Sequence, residues 1–134
     1  MNTNIALIID DNATIRDLLR QTLKLLGFQQ IFDAPNGLTG IELAQQQSFD
    51  VIFLDLELPD VHGTNVLNLL KPQLPDTPVI VVTAHTTVEN LKLSLAAGAA
   101  GFVAKPFSAQ KISAILHKNH SKHGTAKPSR ASSA

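Results

Sequence analysis

Five short apolar runs that alternate with segments of helical periodicity constrain the fold of this chain more than any other feature. The runs are rich in Val, Ile, Leu and Phe, and most of them lack the polar alternation of a strand with one solvated face. Strands that are buried on both faces are typical of a parallel sheet covered by helices on each side. We predict five strands, at about residues 4–9, 30–34, 51–54, 79–82 and 101–104.

A helical pattern follows each of these runs. Pro72, Pro75 and Pro78 are expected to close the third helix, and Ser108 is a candidate N-cap for the last one. Strict alternation of strands and helices predicts an α/β fold, a doubly wound five-stranded parallel sheet in a three-layer sandwich. Ligands bind such sheets at the carboxyl ends of the strands. The predicted helices span about 13–26, 37–46, 64–70, 88–97 and 109–119.

Charge is distributed unevenly along the chain. Up to Leu116 there are seven Lys or Arg residues and eleven Asp or Glu residues, whereas the remainder has four basic residues and no acidic one. An acidic body repels nucleic-acid phosphate, so DNA binding would depend on the basic end alone. We predict one domain over residues 1–119 and a flexible basic tail, rich in Ser, Ala and Lys, at 120–134.

Targeting and redox signals are absent from the sequence. The chain has no cysteine, which excludes disulfides and thiolate chemistry and suits a reducing compartment. The N-terminus lacks a basic stretch followed by an apolar core, and no apolar run approaches the roughly 20 residues of a membrane span. We therefore expect a cytoplasmic protein that does not contact a membrane.

Polar residues follow four of the five predicted strands. Asp10 and Asp11 follow the first, Asp55 the third, Thr83 the fourth and Lys105 the fifth. If the first and third strands are adjacent, their three carboxylates crowd together and need a neutralising cation. Oxygen ligands favour Mg²⁺ over zinc or copper.

The same edge carries the groups that phosphoryl transfer requires. Asp55 is a candidate nucleophile, Lys105 can bring an ammonium beside it, and Thr83 can offer a hydroxyl to an attached anion. Each residue alone has a plainer interpretation, as a helix cap or a solvated charge. Their joint placement after successive strands favours an aspartyl phosphate site.

These residues belong to a longer pattern that is specific to one family. The chain resembles the CheY-like receiver domains of two-component signalling over about residues 5–119. The matching positions are Asp10-Asp11-Asn12, Asp55 followed by Leu58-Pro59 and Gly63, Thr83-Ala84, Gly98-Ala99 with Gly101-Phe102, and Lys105-Pro106-Phe107.

The resemblance implies a flavodoxin-like strand order of 2-1-3-4-5 and a set of functional residues. Asp55 is then the phosphoacceptor, and Mg²⁺ is held by Asp11, Asp55 and the main-chain carbonyl of Glu57, with Asp10 binding through water. Lys105 and Thr83 bind the phosphoryl oxygens, and the Lys105–Pro106 peptide bond is cis.

A two-state switch is also implied. In the family, the residue at Thr83 moves toward the phosphoryl group and the aromatic residue at Phe102 turns inward, which reshapes the surface of the fourth helix, fifth strand and fifth helix. A plain core aromatic is the alternative interpretation of Phe102. Leu91, Leu93 and Leu95 of the fourth helix cannot share one core stripe, so some of them are expected to be exposed, as a partner contact or as surface scatter.

One acidic residue and the five histidines need separate interpretations. Glu57 and His85 border the phosphoryl group, and we predict that they tune its lifetime. His62 is interpreted as an ordinary loop residue. The repeat of His117, His120 and His123 is interpreted as tail composition, with weak adventitious metal binding as the alternative.

The predicted function is a single-domain response regulator, a binding module that catalyses only its own phosphorylation and dephosphorylation. Its expected partners are a histidine kinase or histidine phosphotransfer protein and an unknown downstream protein. The chain is expected to be a monomer or a phosphorylation-linked dimer.

The alternative within the family is a receiver fragment of a hybrid kinase or larger regulator. Outside it, we considered a haloacid-dehalogenase-type phosphatase, which carries its nucleophile on the first strand, and an FMN carrier, whose phosphate Asp10 and Asp11 would repel.

Overall fold

The computed structural model describes residues 4–126, except for the side chains of 120–126. Five strands and five helices alternate along the chain, as the apolar pattern predicts. The strands are β1 (Ile5–Ile9), β2 (Gln30–Ala34), β3 (Val51–Leu54), β4 (Val79–Thr83) and β5 (Gly101–Ala104). The helices are α1 (Ala13–Leu25), α2 (Gly37–Gln46), α3 (Gly63–Gln73), α4 (Val88–Ala96) and α5 (Ala109–Ala126).

All the strands pair in parallel, and their order in the sheet is β2-β1-β3-β4-β5. This confirms the predicted flavodoxin-like α/β fold. The strand order reverses at β1, which lies between β2 and β3. Ligands of such sheets bind beside this reversal, at the carboxyl ends of the strands.

The core lies in two layers, one on each face of the sheet. Alternate residues of β1 point to opposite faces, so Leu7 and Ile9 join one buried cluster whereas Ala6 and Ile8 join the other. The first cluster includes residues of α2 and α3, and the second includes residues of α1 and α5. Helices therefore cover both faces, which explains why the strands are apolar at almost every position.

Two predicted helix ends differ from the structure. The helix α3 continues through Pro72 to Gln73. A proline removes only its own N–H donor, and the N–H of Leu74 still donates to the carbonyls of Leu70 and Lys71. Ser108 caps α5 as predicted, but the helix ends at Ala126 rather than Asn119. Lysines and histidines favour a helix C-terminus, which is compatible with the extra turns.

The predicted tail therefore begins within α5. Residues 127–134, which make up the rest of it, lie outside the described part of the chain. The division into a domain of residues 1–119 and a tail stays a prediction.

The helix α4 carries its large apolar side chains on the outside. Val88, Leu91, Leu93 and Leu95 are exposed by 37% to 68%, so the predicted exposure applies to all three leucines. Ser94 faces inward and is fully buried. Within residues 4–126, no helix combines the length and the apolar content that crossing a bilayer requires.

Candidate functional site

The sheet register brings the two central aspartates side by side. Ile9 of β1 pairs with Leu54 of β3, so Asp10 and Asp55 each follow a paired residue at the same edge. The N–H of Asp55 donates to the carbonyl of Ile9 at 2.9 Å, which extends the pairing by one residue. Both side chains are buried, whereas that of Asp11 is exposed. Carboxylate oxygens of Asp10, Asp11 and Asp55 lie within 4.8 Å of one another.

Lys105 partly neutralises this acidic cluster. Its Nζ lies 2.7 Å from Oδ2 of Asp10 and 3.2 Å from Oδ2 of Asp55, and only 14% of its side chain is exposed. Three carboxylates and one ammonium leave two negative charges uncompensated. An all-oxygen cluster with this residual charge, open to solvent at Asp11, fits a divalent cation such as Mg²⁺.

The ionisation of the two buried partners reflects their surroundings. Burial raises the pKa of Asp10, and hydrogen bonds from Lys105 and from the N–H of Asn12 offset burial only in part. Burial lowers the pKa of Lys105, but the hydrogen bonds and charges of Asp10 and Asp55 outweigh it, so this pKa lies above its ordinary value. Lys105 is therefore a stable cation at neutral pH.

Thr83 lies at the same edge, fully buried at the end of β4. Its Oγ1 accepts the N–H of His85 at 3.1 Å, and its carbonyl accepts the N–H of Lys105 at 2.9 Å. A hydroxyl that accepts one hydrogen bond still has its own hydrogen to donate. The Lys105–Pro106 peptide bond is cis, as predicted.

The loop that follows Asp55 brings the start of α3 into contact with the end of β3. The N–H of Glu57 donates to Oδ1 of Asp55 at 3.3 Å, and that of Gly63 donates to the carbonyl of Leu56 at 2.8 Å. A side chain at position 63 would collide with the carbonyl of Asp55 and with the backbone of Leu56, so only glycine fits there. The glycine of the family pattern at position 63 thus has a steric cause.

Glu57 and His85 face each other above this loop. Oε1 of Glu57 and Nε2 of His85 are 4.0 Å apart, and both side chains are about half exposed. The two residues that were predicted to border a phosphoryl group are therefore neighbours.

The remaining predicted residues lie in β5, at the start of α3 and in α5. Phe102 is half-buried opposite Val81 and packs against the core beside α2 and α3, a position that fits either predicted interpretation. His62 is the N-cap of α3, where its Nδ1 accepts the N–H of Thr64 at 3.2 Å, so it has a structural role in a loop. His117 is exposed on α5, and the side chains of His120 and His123 lie outside the described residues.

Arg16 is a residue of the site that the sequence argument missed. Its Nη1 donates to the main-chain carbonyl of Asp10 at 2.7 Å, and its Nε lies 3.4 Å from Oδ2 of Asp33 at the end of β2. It thereby fixes the peptide bond that joins Asp10 and Asp11. A signal exists in the sequence, since a long cationic side chain in the first turn of the helix after the acidic pair can reach back to it.

Known proteins resemble this chain in sequence. The family model described as "Response regulator receiver domain" matches residues 6–117. "Chemotaxis protein CheY-3" of Vibrio cholerae is 31% identical over 114 residues, which cover 84% of this chain and 88% of that protein. The "Probable transcriptional regulatory protein TcrX" of Mycobacterium tuberculosis is 35% identical over 106 residues, or 79% of this chain. The chain spans less than half of TcrX, 45% of its length.

Solved structures agree with the sequence matches. A CheY-like receiver domain protein from Methanospirillum hungatei superposes with a TM-score of 0.86 at 27% identity, covering 92% of this chain and 99% of the other. A chemotaxis CheY protein of Vibrio cholerae, crystallised at low pH, superposes with a TM-score of 0.81 at 28% identity, covering 87% and 98%. Together with the strand order and the acidic cluster, these matches show that the chain belongs to the CheY-like response regulator receiver domains of two-component signalling.

Proposed function

We propose that this chain accepts a phosphoryl group on Asp55 from a histidine kinase or a histidine phosphotransfer protein. The observation that carries the proposal is the cluster of Asp10, Asp11 and Asp55, with the ammonium of Lys105 bridging two of them. A buried carboxylate beside a fixed cation and a hydroxyl is suited to hold the charge of a transferring phosphoryl group. Receiver domains are signalling domains rather than classical enzymes, and we assign this one only self-catalysed phosphorylation and dephosphorylation.

The metal in this proposal is Mg²⁺. We assign Asp11, Asp55 and the main-chain carbonyl of Glu57 as its ligands, with Asp10 binding through water. The charge of the bound ion offsets that of the phosphoryl oxygens. The residual double negative charge of the cluster supports a divalent rather than a monovalent cation.

The transfer step breaks one bond and forms another. A carboxylate oxygen of Asp55 attacks the phosphorus atom, the O–P bond forms as the P–N bond of the phosphohistidine breaks, and the donor imidazole regains a proton. Lys105 binds one phosphoryl oxygen and the free hydrogen of Thr83 binds another. Dephosphorylation is a hydrolysis, in which water attacks the phosphorus atom and inorganic phosphate leaves the carboxylate of Asp55.

Glu57 and His85 are candidates to control this hydrolysis. Their side chains lie 4.0 Å apart and about half exposed, and the two residues follow Asp55 and Thr83 by two positions each. We propose that the pair sets how readily water reaches the phosphorus atom.

We propose that phosphorylation changes the surface to which a downstream protein binds. Movement of Thr83 toward the phosphoryl group would be transmitted to Phe102 and to the face formed by α4, β5 and α5. The exposed leucines of α4 lie on one of the elements that form this face, which supports binding of a downstream protein there. We propose a cytoplasmic protein that is a monomer or a phosphorylation-linked dimer.

The relatives support two versions of this function. CheY-3 is covered over 88% of its length, which favours a single-domain regulator. TcrX, a probable transcriptional regulatory protein, is covered over 45%, which favours the alternative of a receiver within a larger regulator.

Phosphoramidate tests the transfer directly, because it has the same P–N bond as phosphohistidine. With Mg²⁺ present, we expect a hydroxylamine-labile phosphoryl group that maps to Asp55 and is absent from Asp55→Asn. A phosphoryl group on a serine, threonine or histidine would contradict the proposal.

A further inference from the structure

Asp60 joins the loop after β3 to the start of α2. Its Oδ1 accepts the N–H of Gly37 and its Oδ2 accepts that of Leu38, both at 2.9 Å, across 23 and 22 residues of sequence. These are the first two N–H groups of α2, which have no partner within the helix. The bonds lower the pKa of Asp60 below its usual range, so the carboxylate is ionised at neutral pH.

The loop and the start of α2 also pack closely at Gly37. A Cβ there would overlap with Cγ1 of Val61 and lie 3.3 Å from Oδ1 of Asp60. The next residue of the loop is thus packed against α2 as well. Asp60 and Val61 hold this part of the loop against a rigid element.

The loop is therefore tied at both ends of a short segment. At its start, the carbonyl of Leu56 accepts the N–H of Gly63, and Glu57 donates to Asp55. At its end, Asp60 is bound to α2. The main-chain carbonyl of Glu57, which is the proposed metal ligand, follows the first of these ties and precedes the second.

We infer that Asp60 is a positioning residue for the metal site, holding the carbonyl of Glu57 in place by anchoring the loop to α2. The inference rests on the proposed Mg²⁺ ligands. Groups that orient metal ligands typically contribute about 10- to 100-fold to metal affinity. Because Asp60 acts through three residues of loop, we expect an effect near the lower end, about tenfold.

Asn36 provides a matched control at the same helix end. Its Oδ1 accepts the N–H of Thr39 at 2.8 Å, so Asn36→Ala removes a cap from α2 without changing the loop. The experiment titrates Mg²⁺ calorimetrically into the unphosphorylated wild type, Asp60→Ala, Asp60→Asn and Asn36→Ala. Circular dichroism first defines a temperature at which all four are folded.

We expect Asp60→Ala to bind Mg²⁺ about tenfold more weakly, Asp60→Asn to lose less because its amide oxygen still accepts one bond, and Asn36→Ala to bind within twofold of the wild type. Equal affinity of Asp60→Ala and the wild type would overturn the inference alone. An equal loss in Asn36→Ala would overturn it too, since α2 itself would then be responsible.

A purely electrostatic role for Asp60 has a different signature. In that case both Asp60 variants lose the same affinity, and the loss disappears at 1 M salt, where the Debye length is about 3 Å. That result would overturn the positioning role. Absence of Mg²⁺ binding by the wild type would contradict the proposed function and this inference with it.

Discussion

Nζ of Lys105 lies 2.7 Å from Oδ2 of Asp10, and this contact joins β5 to β1 across the sheet edge. The two residues are 95 positions apart in the sequence and both are largely buried. The same ammonium reaches Asp55 at 3.2 Å. Lys105 therefore joins three strands of the sheet through its ion pairs with Asp10 and Asp55.

Replacement of this lysine should destabilise the protein and make it more dependent on Mg²⁺. Lys105→Met leaves two buried carboxylates without a cation, and removing one partner of a buried pair costs about 3 to 5 kcal/mol. We expect added Mg²⁺ to restore more stability to the variant than it adds to the wild type. Urea unfolding with and without Mg²⁺ measures both effects.

Lys92→Met is the control, because Lys92 is an exposed residue of α4. Its free energy of unfolding should stay within about 0.5 kcal/mol of the wild type. A similar decrease in the free energy of unfolding of both variants would show that the buried ion pairs of Lys105 do not stabilise the protein more than an exposed lysine does.

The stabilising effect of Asp60 should depend on pH. Hydrogen bonds from Leu38 and Gly37 lower the pKa of Asp60 in the folded state, so its contribution is present above the ordinary value of 3.8 and is lost as pH falls through the lower folded value. The difference in unfolding free energy between the wild type and Asp60→Asn should be constant near neutrality and should shrink below pH 3.8. Chemical denaturation at a series of pH values measures it. A difference that is flat down to pH 2.5 or grows in acid contradicts the assignment.

Ser94 should be replaceable with a gain in stability. It is fully buried in α4, and among the described side chains its Oγ is the buried polar atom that lacks a hydrogen-bond partner. Burying an unpaired hydroxyl costs about 1 to 3 kcal/mol, so Ser94→Ala should be more stable by about 1 kcal/mol. Ser113→Ala, at a half-buried helical serine of α5, should change less. Thermal unfolding compares them, and a destabilised Ser94→Ala would indicate that the hydroxyl has a partner in solution.

Glu57 and His85 should change the lifetime of the phosphoryl group without changing its site. We expect Glu57→Ala and His85→Ala each to alter the dephosphorylation rate, because each substitution removes one member of the 4.0 Å pair. Loss of phosphorylated protein is followed by intact mass after the donor is removed. Glu89→Ala, at an exposed acid of α4, is the control. Rates that match the wild type in both variants would show that the pair does not tune the lifetime.

The central arrangement was predictable because it follows from the sheet. Parallel strands end at one edge, so Asp10, Asp55, Thr83 and Lys105 had to lie together once the five apolar runs were identified as strands. The family pattern then gave the strand order that makes β1 and β3 neighbours. The strands and the family motifs are both recognised from short segments of the sequence.

The supporting contacts were not predictable in the same way. Asp60 binds the start of α2 from 23 residues away, which no local pattern indicates. The position of Arg16 in the first turn of α1 allows a contact with the acidic pair, but the pattern does not identify the main-chain carbonyl of Asp10 as its acceptor. The inward position of Ser94 is also set by tertiary packing, since the α4 pattern alone would place a leucine against the core. The extension of α3 through Pro72 likewise depends on neighbouring hydrogen bonds.

Intact-mass spectrometry tests the central claim most directly. The wild type and Asp55→Asn are incubated with Mg²⁺ and acetyl phosphate, and a parallel wild-type sample contains a metal chelator. A single phosphoryl adduct on the wild type, absent from Asp55→Asn and from the chelated sample, is the predicted result. A wild type that stays unmodified although it is folded, or an equal adduct on Asp55→Asn, would contradict the assignment of Asp55 as the phosphoacceptor.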